Sequence, residues 1–269
     1  MKKKQPAAGW RSGEKRIRLS DDLLWGVHPV YEALLQEADR CTEILLVKDK
    51  RGSKIEEIIA LARDARIKCT FVDSLKLVGE SSASIRHQGV VARLSAVPLY
   101  GFEAFRQKMA ARLKAQQPTR IMVLDSLMDP HNVGAIIRSS LASGAAGVIV
   151  TQRRSAPLGG TVAKASSGAI SHIDICQVPN LCQALQALKE IGFWIFGAVT
   201  DTAAVSLYDA DLTVPACLVV GSEGKGIRPI IRKECDFLIS IPMAGNLDSL
   251  NGSVAAAVIL FEARRQNLS

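Results

Sequence analysis

Three polar segments in the second half of the chain have residue types that could bind a polar ligand and act on it. They are DPHNVGAIIRS at residues 129–139, VGSEGKG at residues 220–226 and IPMAGNLDSLNGS at residues 241–253. The third runs directly into an apolar helix pattern. A loop that feeds a helix start presents free backbone N–H groups, here beside side-chain oxygens. The junction near residue 251 is therefore a candidate site for chemistry.

The glycines of residues 220–226 do not form a known nucleotide-phosphate motif. A P-loop requires Ser or Thr directly after its Lys, and here Gly226 follows Lys225. A dinucleotide fingerprint requires a third glycine where this chain has Pro229. These departures argue against a kinase or a nicotinamide enzyme. A glycine-rich turn without a ligand is the alternative, but Glu223, a charge at the end of an apolar strand, favours a ligand site.

Together the three segments resemble the sequence motifs of the SpoU, or TrmH-like, family of RNA ribose 2′-O-methyltransferases. The resemblance extends over nearly the whole chain beyond the N-terminal tail. It implies S-adenosylmethionine as cofactor and a ribose 2′-hydroxyl of structured RNA as methyl acceptor. The segments GVHPV at residues 26–30 and HQGVVA at residues 87–92 resemble the front domain of members that modify a guanosine of 23S ribosomal RNA.

The resemblance also assigns site residues. It implies that Arg138 contacts the ribose 2′-hydroxyl, with further polar positions at Asn132, Glu223, Ser249 and Asn251. The backbone around three other residues is implied to hold the cofactor, namely Gly221, Ile241 and Leu250. One departure is Gly252, where the family usually has a β-branched residue, because glycine is a weaker helix residue.

The role implied for Arg138 has a physical basis. An alcohol is a weak nucleophile, so its attack on a methyl group requires that the developing alkoxide be stabilised by positive charge or that its proton be removed. A guanidinium supplies the positive charge. Since the pKa of arginine is above about 12, a role as base requires a strong perturbation, and we expect the stabilising role.

Two alternatives to a ribosomal-RNA enzyme remain open. The first is a transfer-RNA ribose methyltransferase, because its motifs would be the same; the separate front domain favours ribosomal RNA. The second is a non-catalytic RNA-binding factor in ribosome assembly, for which Gly252 is an argument. The complete polar set at residues 132, 138, 223, 249 and 251 argues against that second alternative.

Charge and composition set limits on these expectations. The chain has 269 residues, 48% of them hydrophobic, and a net charge of +8. Residues 1–20 contain seven basic residues and one acidic residue, so most of the excess lies in a tail that is either a disordered, solubilising extension or an RNA-tethering arm. No apolar run reaches the roughly 20 residues that a membrane helix requires, and we expect a cytoplasmic protein. The scattered cysteines and histidines predict reduced thiols and no metal site.

The order of apolar and amphipathic patterns predicts two α/β domains. Residues 21–98 alternate between helix and strand patterns, residues 99–120 are predicted to form a linker helix that ends before Pro118, and residues 121–269 alternate strongly apolar strands with helices. The last pattern is typical of a parallel sheet covered on both faces. In such sheets ligands bind at the carboxyl ends of the strands, where the three polar segments fall.

The family resemblance adds three structural expectations that no pattern can give. The front domain should be a ribosomal-protein-like module that selects RNA, the catalytic domain should contain a C-terminal trefoil knot, and two copies should form a homodimer at the cofactor site. Residues 21–98 contain 11 basic and 12 acidic residues, so RNA selection by the front domain would depend on shape and local patches.

Overall fold

The computed structural model describes residues 14–20, 22–78, 86–201, 203–244 and 249–268. The chain divides into two compact units, Met1–Leu94 and Ser95–Ser269. None of the helices in these described ranges is both long and apolar enough to cross a membrane.

The first unit is built on a four-stranded sheet with two helices. Its elements are β1 (Glu14–Arg18), β2 (Leu23–Trp25), α1 (Val27–Gln36), a 3₁₀ turn (Ala38–Arg40), β3 (Cys41–Val47), α2 (Ser53–Asp64), β4 (Lys68–Val72), β5 (Ser74–Val78) and β6 (Val90–Leu94). The sheet order is β2-β6-β3-β4, with β6 antiparallel to both neighbours and β4 parallel to β3. The alternation of helix and strand patterns in the sequence therefore corresponds to a mixed sheet.

The prediction of a disordered tail over residues 1–20 is wrong for Glu14–Arg18. These residues form β1, which pairs in parallel with β5, and the Ile17 side chain is 4% exposed. One apolar residue between basic neighbours is enough for a short strand, because alternate side chains of a strand face opposite sides. The predicted tail before residue 14 lies outside the described residues.

The second unit contains a seven-stranded sheet and six helices among its described residues. Its elements are α3 (Phe102–Lys114), β7 (Arg120–Asp125), α4 (Pro130–Ala142), β8 (Gly147–Thr151), α5 (Gly160–Ala165), a 3₁₀ turn (Ala169–His172), β9 (Asp174–Val178), α6 (Leu181–Glu190), β10 (Trp194–Ala198), β11 (Val205–Ser206), β12 (Ala216–Gly221), α7 (Pro229–Arg232), β13 (Phe237–Ser240) and α8 (Gly252–Gln266).

All pairings in this sheet are parallel, in the order β11-β13-β10-β12-β7-β8-β9. Successive residues of each central strand face opposite sides: Met122 and Leu124 pack with α4, α5 and α8, whereas Ile121 and Val123 pack with α3 and α6. Because both faces are covered, the central strands are apolar throughout, and the predicted parallel α/β core is confirmed.

Residues 99–120 contain a helix as predicted, α3, but its expected role as a linker is wrong, because α3 is part of the second unit. Phe105 and Met109 are fully buried in the same cluster as α6, and Lys108 forms an ion pair of 2.6 Å with Asp174. Gly147 makes this packing possible, since a Cβ atom there would lie 2.5 Å from the Phe105 ring. Phe105 and Met109, four residues apart on one face, therefore hold α3 against the sheet, although its many charged residues suggested a solvent-exposed helix.

Candidate functional site

The predicted site residues other than Arg138 meet at the carboxyl end of the seven-stranded sheet. A cavity of about 1200 Å³ opens there between the ends of β10, β12 and β13 and the start of α8. Gly221, Ile241 and Leu250, the three positions expected to hold a cofactor, line this cavity together with Glu223 and Ser249. The sheet thus brings together segments that are separated by up to 29 positions in the sequence.

The loop after β12 folds back on the end of its own strand. Ser222 and Gly226 exchange backbone hydrogen bonds of 3.1 and 2.8 Å, and Gly224 and Gly226 adopt positive φ angles of 75° and 62°. A Cβ atom on Gly221 would lie 2.0 Å from the carbonyl carbon of Gly226. Glycine is therefore required at residue 221, because the backbone of Gly226 and Ile227 occupies the place of a side chain.

Glu223 joins two of the three polar segments through one oxygen atom. Its Oε1 accepts hydrogen bonds from Asn132 Nδ2 at 2.7 Å and from Asn251 Nδ2 at 2.6 Å. Asn132 is in the first turn of α4 and Asn251 directly precedes α8. One carboxylate therefore fixes the starts of two helices relative to the loop after β12.

Asn251 has a second role as the cap of α8. Its Oδ1 accepts hydrogen bonds from the Ser253 backbone N–H at 2.9 Å and the Ser253 hydroxyl at 2.6 Å. Capping by an Asn side chain satisfies a backbone donor that the helix itself leaves free. A Cβ atom on Gly252 would meet Glu223 and Gly221 at 3.9 Å, an ordinary contact distance, so the geometry does not require glycine at residue 252.

Arg138 is not in contact with this network within the described chain. It lies six residues beyond Asn132 on α4, exposed, and its Nη1 donates a hydrogen bond of 3.1 Å to Ser167 Oγ. Six residues of α-helix correspond to a rise of about 9 Å and a rotation of roughly 240°. Asn132 and Arg138 therefore project from different faces of α4.

Comparison with known protein families identifies this arrangement. Residues 119–261 match the model of the SpoU rRNA methylase family, and residues 23–100 match that of an RNA 2′-O ribose methyltransferase substrate-binding domain. The chain belongs to the SpoU rRNA methylase family. The resemblance inferred from the three segments is thereby confirmed.

Two SpoU relatives are similar to this chain over nearly its whole length. The 23S rRNA (guanosine-2′-O-)-methyltransferase RlmB of Pseudomonas syringae is 38% identical over 243 residues, which cover 90% of this chain and 95% of that protein. The RlmB of Shewanella oneidensis is 37% identical over 250 residues, covering 92% and 98%.

A solved structure has the same fold. The SpoU methyltransferase AviRb of Streptomyces viridochromogenes, in complex with AdoMet, aligns with a TM-score of 0.55 at 24% sequence identity, over 91% of this chain and 90% of that one. At this identity the likeness concerns the fold alone. It supports the parallel-sheet α/β core described above.

The SpoU site contains an ion pair that the sequence did not reveal. Asp125, the last residue of β7, is fully buried and accepts hydrogen bonds from the Arg228 backbone N–H at 2.9 Å and from Arg228 Nε at 2.7 Å. Arg228 follows the glycine-rich loop by two residues. This pair therefore ties the far end of residues 222–226 to the neighbouring strand. The sequence feature that could have indicated this ion pair is Asp125 itself, a carboxylate at the end of an otherwise apolar strand.

A second ion pair lies on the wall of the cavity. Arg232 Nη2 donates to Asp201 Oδ2 at 2.8 Å, and both residues line the cavity. The backbone N–H of Ala203 and the Arg232 guanidinium hold the pKa of the Asp201 carboxyl below its ordinary value. The carboxylate is therefore charged at neutral pH.

In the first unit, the two segments that resemble the SpoU front domain lie against each other. The Gly26 N–H donates to the Val90 carbonyl at 3.0 Å, and the Val27 N–H donates to Gln88 Oε1 at 3.0 Å. Gly26 and Gln88 both have positive φ angles, of 98° and 54°. The side chain of Gln88 thus satisfies a free donor at the start of α1, and the two segments form one surface of this unit.

Proposed function

We propose that the chain transfers a methyl group from S-adenosylmethionine to a ribose 2′-oxygen of structured RNA, with a guanosine of 23S ribosomal RNA as the target. The observation that carries this proposal is the single cavity lined by Gly221, Ile241, Leu250, Glu223 and Ser249 at the carboxyl end of the sheet. The activity named for the relatives that are 37 and 38% identical along almost the whole chain supports the choice of target. Such a substrate would be met in the cytoplasm.

The cavity fits the proposed cofactor in size and in chemistry. Ligand sites typically enclose about 300–1,000 Å³, and this one is larger at about 1200 Å³, which leaves room for a nucleoside beside the cofactor. Gly221, Gly224 and Gly226 line the wall, so their main-chain donors and acceptors are not covered by side chains of their own. When bound, S-adenosylmethionine supplies an electrophilic methyl group on a positively charged sulfur.

The residues of this chain would supply orientation and charge for the acceptor. The methyl group that the cofactor would supply would replace the proton on the ribose 2′-oxygen, and that proton would pass to solvent water. Among the described contacts, both amide hydrogen bonds use Oε1 of Glu223, which leaves Oε2 to accept a bond from a ribose hydroxyl or to orient a guanidinium. Ser249 adds a hydroxyl at the same wall. We assign to Arg138 the stabilisation of the developing alkoxide.

The position of Arg138 supports a further element of the proposal, a homodimer. Arg138 is exposed and does not contact the Glu223 network of its own chain in the described residues. On α8, Val254 and Phe261 are 48% and 47% exposed, seven residues apart on one face beside the site. An apolar face of this kind is typical of a subunit interface. Sedimentation at micromolar concentration tests this element: we expect a dimer that Phe261→Glu dissociates, and a monomeric wild type would contradict it.

We also propose that the second unit contains the trefoil knot of its family. The strand order supports it, because β12 lies between β10 and β7, and α8 packs against α4 beside β12. Crystallographic tracing of residues 200–268 is the test. A path in which α8 lies outside the preceding loop would contradict the knot.

Labelled-methyl transfer to unmodified ribosomal and transfer RNA tests the proposed activity. The product is mapped by resistance of the 3′-linkage to alkali, which marks a 2′-O-methyl group. We expect the wild type to label 23S ribosomal RNA, and Arg138→Ala to lose about 100- to 1,000-fold in rate while cofactor affinity by calorimetry is retained. Arg138→Lys, which keeps the charge but not the planar fork, should fall between the two.

The same assay separates the alternatives. If label appears in transfer RNA alone, the protein is a transfer-RNA ribose methyltransferase. If the wild type binds RNA but transfers no methyl group to either, the non-catalytic assembly factor replaces the enzyme.

A further inference from the structure

Three arginines converge at the amino end of the seven-stranded sheet, opposite the cavity. They are Arg112 on α3, Arg120 at the start of β7 and Arg264 on α8. Arg120 is only 6% exposed. The Nε and Nη1 of Arg120 and the Nε of Arg112 are buried and have no hydrogen-bond partner. A buried guanidinium is normally paired, so these donors are unusual in a folded protein.

No carboxylate in the described ranges forms an ion pair with any of the three. Burial, followed by the charges of Arg264 and Arg112, lowers the pKa of Arg120 from its ordinary value. The guanidiniums are thus close enough to repel one another. Both the repulsion and the unpaired donors cost free energy that a bound anion would remove.

Gly144 leaves the cluster open on one side. This residue follows the end of α4 with a φ of 76°, and it is exposed. The place where a Cβ atom would stand lies 3.3 Å from Arg264 Nη1 and 4.0 Å from Arg120 Nη2. Because glycine has no side chain, an anion can approach these two nitrogens directly at that place.

We propose that Arg112, Arg120 and Arg264 form a binding site for a phosphate group. A phosphate presents several acceptor oxygens around one centre and can satisfy donors from more than one guanidinium, whereas a carboxylate has two oxygens and a single charge. Arg120 and Asp125 are the first and last residues of β7, so the two ends of this strand are about 17 Å apart at roughly 3.3 Å per residue. The phosphate site is therefore separate from the cavity.

Two sources could supply the phosphate: the backbone of a bound RNA, or a free phosphate or nucleotide. Both sources present the same phosphate group to the three arginines. Its existence does not depend on the proposed methyl transfer, since it involves none of the residues at the cavity.

Thermal unfolding in sodium phosphate and in sodium chloride of equal ionic strength tests the site. We expect phosphate at about ten times its dissociation constant to raise the Tm of the wild type by roughly 2–4 °C relative to chloride. The variant Arg120→Met should lose this difference. In chloride it should also unfold at a higher temperature than the wild type, because an unpaired buried cation has been replaced by an apolar side chain of similar length.

The matched control is Lys233→Met, which removes one exposed positive charge from the same unit and should keep the full phosphate response. If Arg120→Met does not fold, Arg264→Met, at a half-buried position on α8, replaces it. An equal response to phosphate in wild type and variant, or none in the wild type, overturns the proposal. A response to sodium acetate as large as that to phosphate also overturns it, and indicates a carboxylate-bearing partner instead.

A binding measurement identifies the source. Fluorescence anisotropy with a short labelled RNA duplex is recorded at several salt concentrations for wild type, Arg120→Met and Lys233→Met. If only Arg120→Met binds several-fold more weakly, with a salt slope reduced by about one, the phosphate belongs to RNA. If all three bind RNA equally while the phosphate response still requires Arg120, the ligand is a free phosphate or nucleotide.

Discussion

The two ends of the seven-stranded sheet differ in whether their arginines are paired with carboxylates. At the carboxyl end, two arginines have carboxylate partners: Arg228 is bonded to Asp125, and Arg232, on the cavity wall, is bonded to Asp201. At the amino end, Arg112, Arg120 and Arg264 converge with no such partner in the described chain.

This difference shows that similar residues can have different tasks in one sheet. Paired charges at the carboxyl end set the geometry of loops, because each pair holds one backbone segment against another. Unpaired buried charges at the amino end destabilise the free protein, and the proposed phosphate would offset that cost. Local pairing, and not the sign of the charge, therefore separates a structural arginine from a ligand-binding one.

The largest expected effect comes from a steric clash at the carboxyl end of β12. Gly221→Ala places a Cβ atom 2.0 Å from Gly226, so the loop must move. We expect affinity for S-adenosylmethionine, measured by calorimetry, to fall at least about 100-fold. The matched control is Gly252→Ala, which meets its neighbours at 3.9 Å and should bind within about twofold of wild type. Equal binding by both variants would show that the loop contact is irrelevant.

The second-largest effect is expected when an arginine at the carboxyl end loses its carboxylate partner, as at the amino end. Asp125→Asn leaves Arg228 without its buried carboxylate, and we expect the free energy of unfolding in urea to drop by about 2–3 kcal/mol, less than for a fully buried pair because Arg228 is one-third exposed. Adding Arg228→Met should restore part of the loss. Asp211→Asn, at an exposed carboxylate bonded only to Thr213, is the control; a loss as large as that of Asp125→Asn would contradict the assignment.

A smaller effect is expected from removing the charge of Glu223 while keeping its shape. Glu223→Gln weakens the two hydrogen bonds from Asn132 and Asn251, because neither is then charge-assisted. We predict a single-turnover methyl-transfer rate reduced about tenfold, which is roughly 1.4 kcal/mol, with cofactor affinity unchanged. Glu234→Gln, at a half-buried glutamate bonded to Gln186, should keep the wild-type rate. An unchanged rate for Glu223→Gln would remove this carboxylate from the site.

The smallest effect concerns the exposed pair of Asp201 and Arg232. Since the pKa of Asp201 is lowered in the folded state, its contribution to stability is present at neutral pH and is lost as the pH falls through that lowered value. The pair is solvent-exposed, so Arg232→Gln should shift Tm by no more than about 1–2 °C at pH 7. At a pH below the folded pKa of Asp201 the difference between variant and wild type should vanish. A difference that grows with acidification has the wrong sign for this pair.

Local signals in the sequence were sufficient for the parallel sheet and for the placement of the polar segments. Apolar runs such as residues 121–125 and 216–221 predict buried strands, and both are strands in the structure. The residues expected around the cofactor fall in one cavity because parallel strands end at the same edge. These inferences need only periodicity and order along the chain.

Contacts between distant residues were not predictable in the same way. Asp125 and Arg228 are 103 positions apart, and Arg138 finds Ser167 only through the placement of α5. The burial of α3 depends on the absence of a side chain at Gly147, a residue of β8 that is 33 or more positions away in the sequence. Arg120 looked like an ordinary residue before a strand, because its lack of a partner is a property of three elements together.

The hydrogen bonds to Glu223 can form completely only late in synthesis of the chain. Asn132 and Glu223 are translated before Asn251, so a growing polypeptide on the ribosome holds two of the three groups while the third is still being added. Domains fold during synthesis from the N-terminal side, and here the strands of the sheet precede the helix that Asn251 caps. A nascent chain that has not yet reached α8 therefore lacks one of the three hydrogen-bonding groups, and under the proposed function we expect such a chain not to act on RNA.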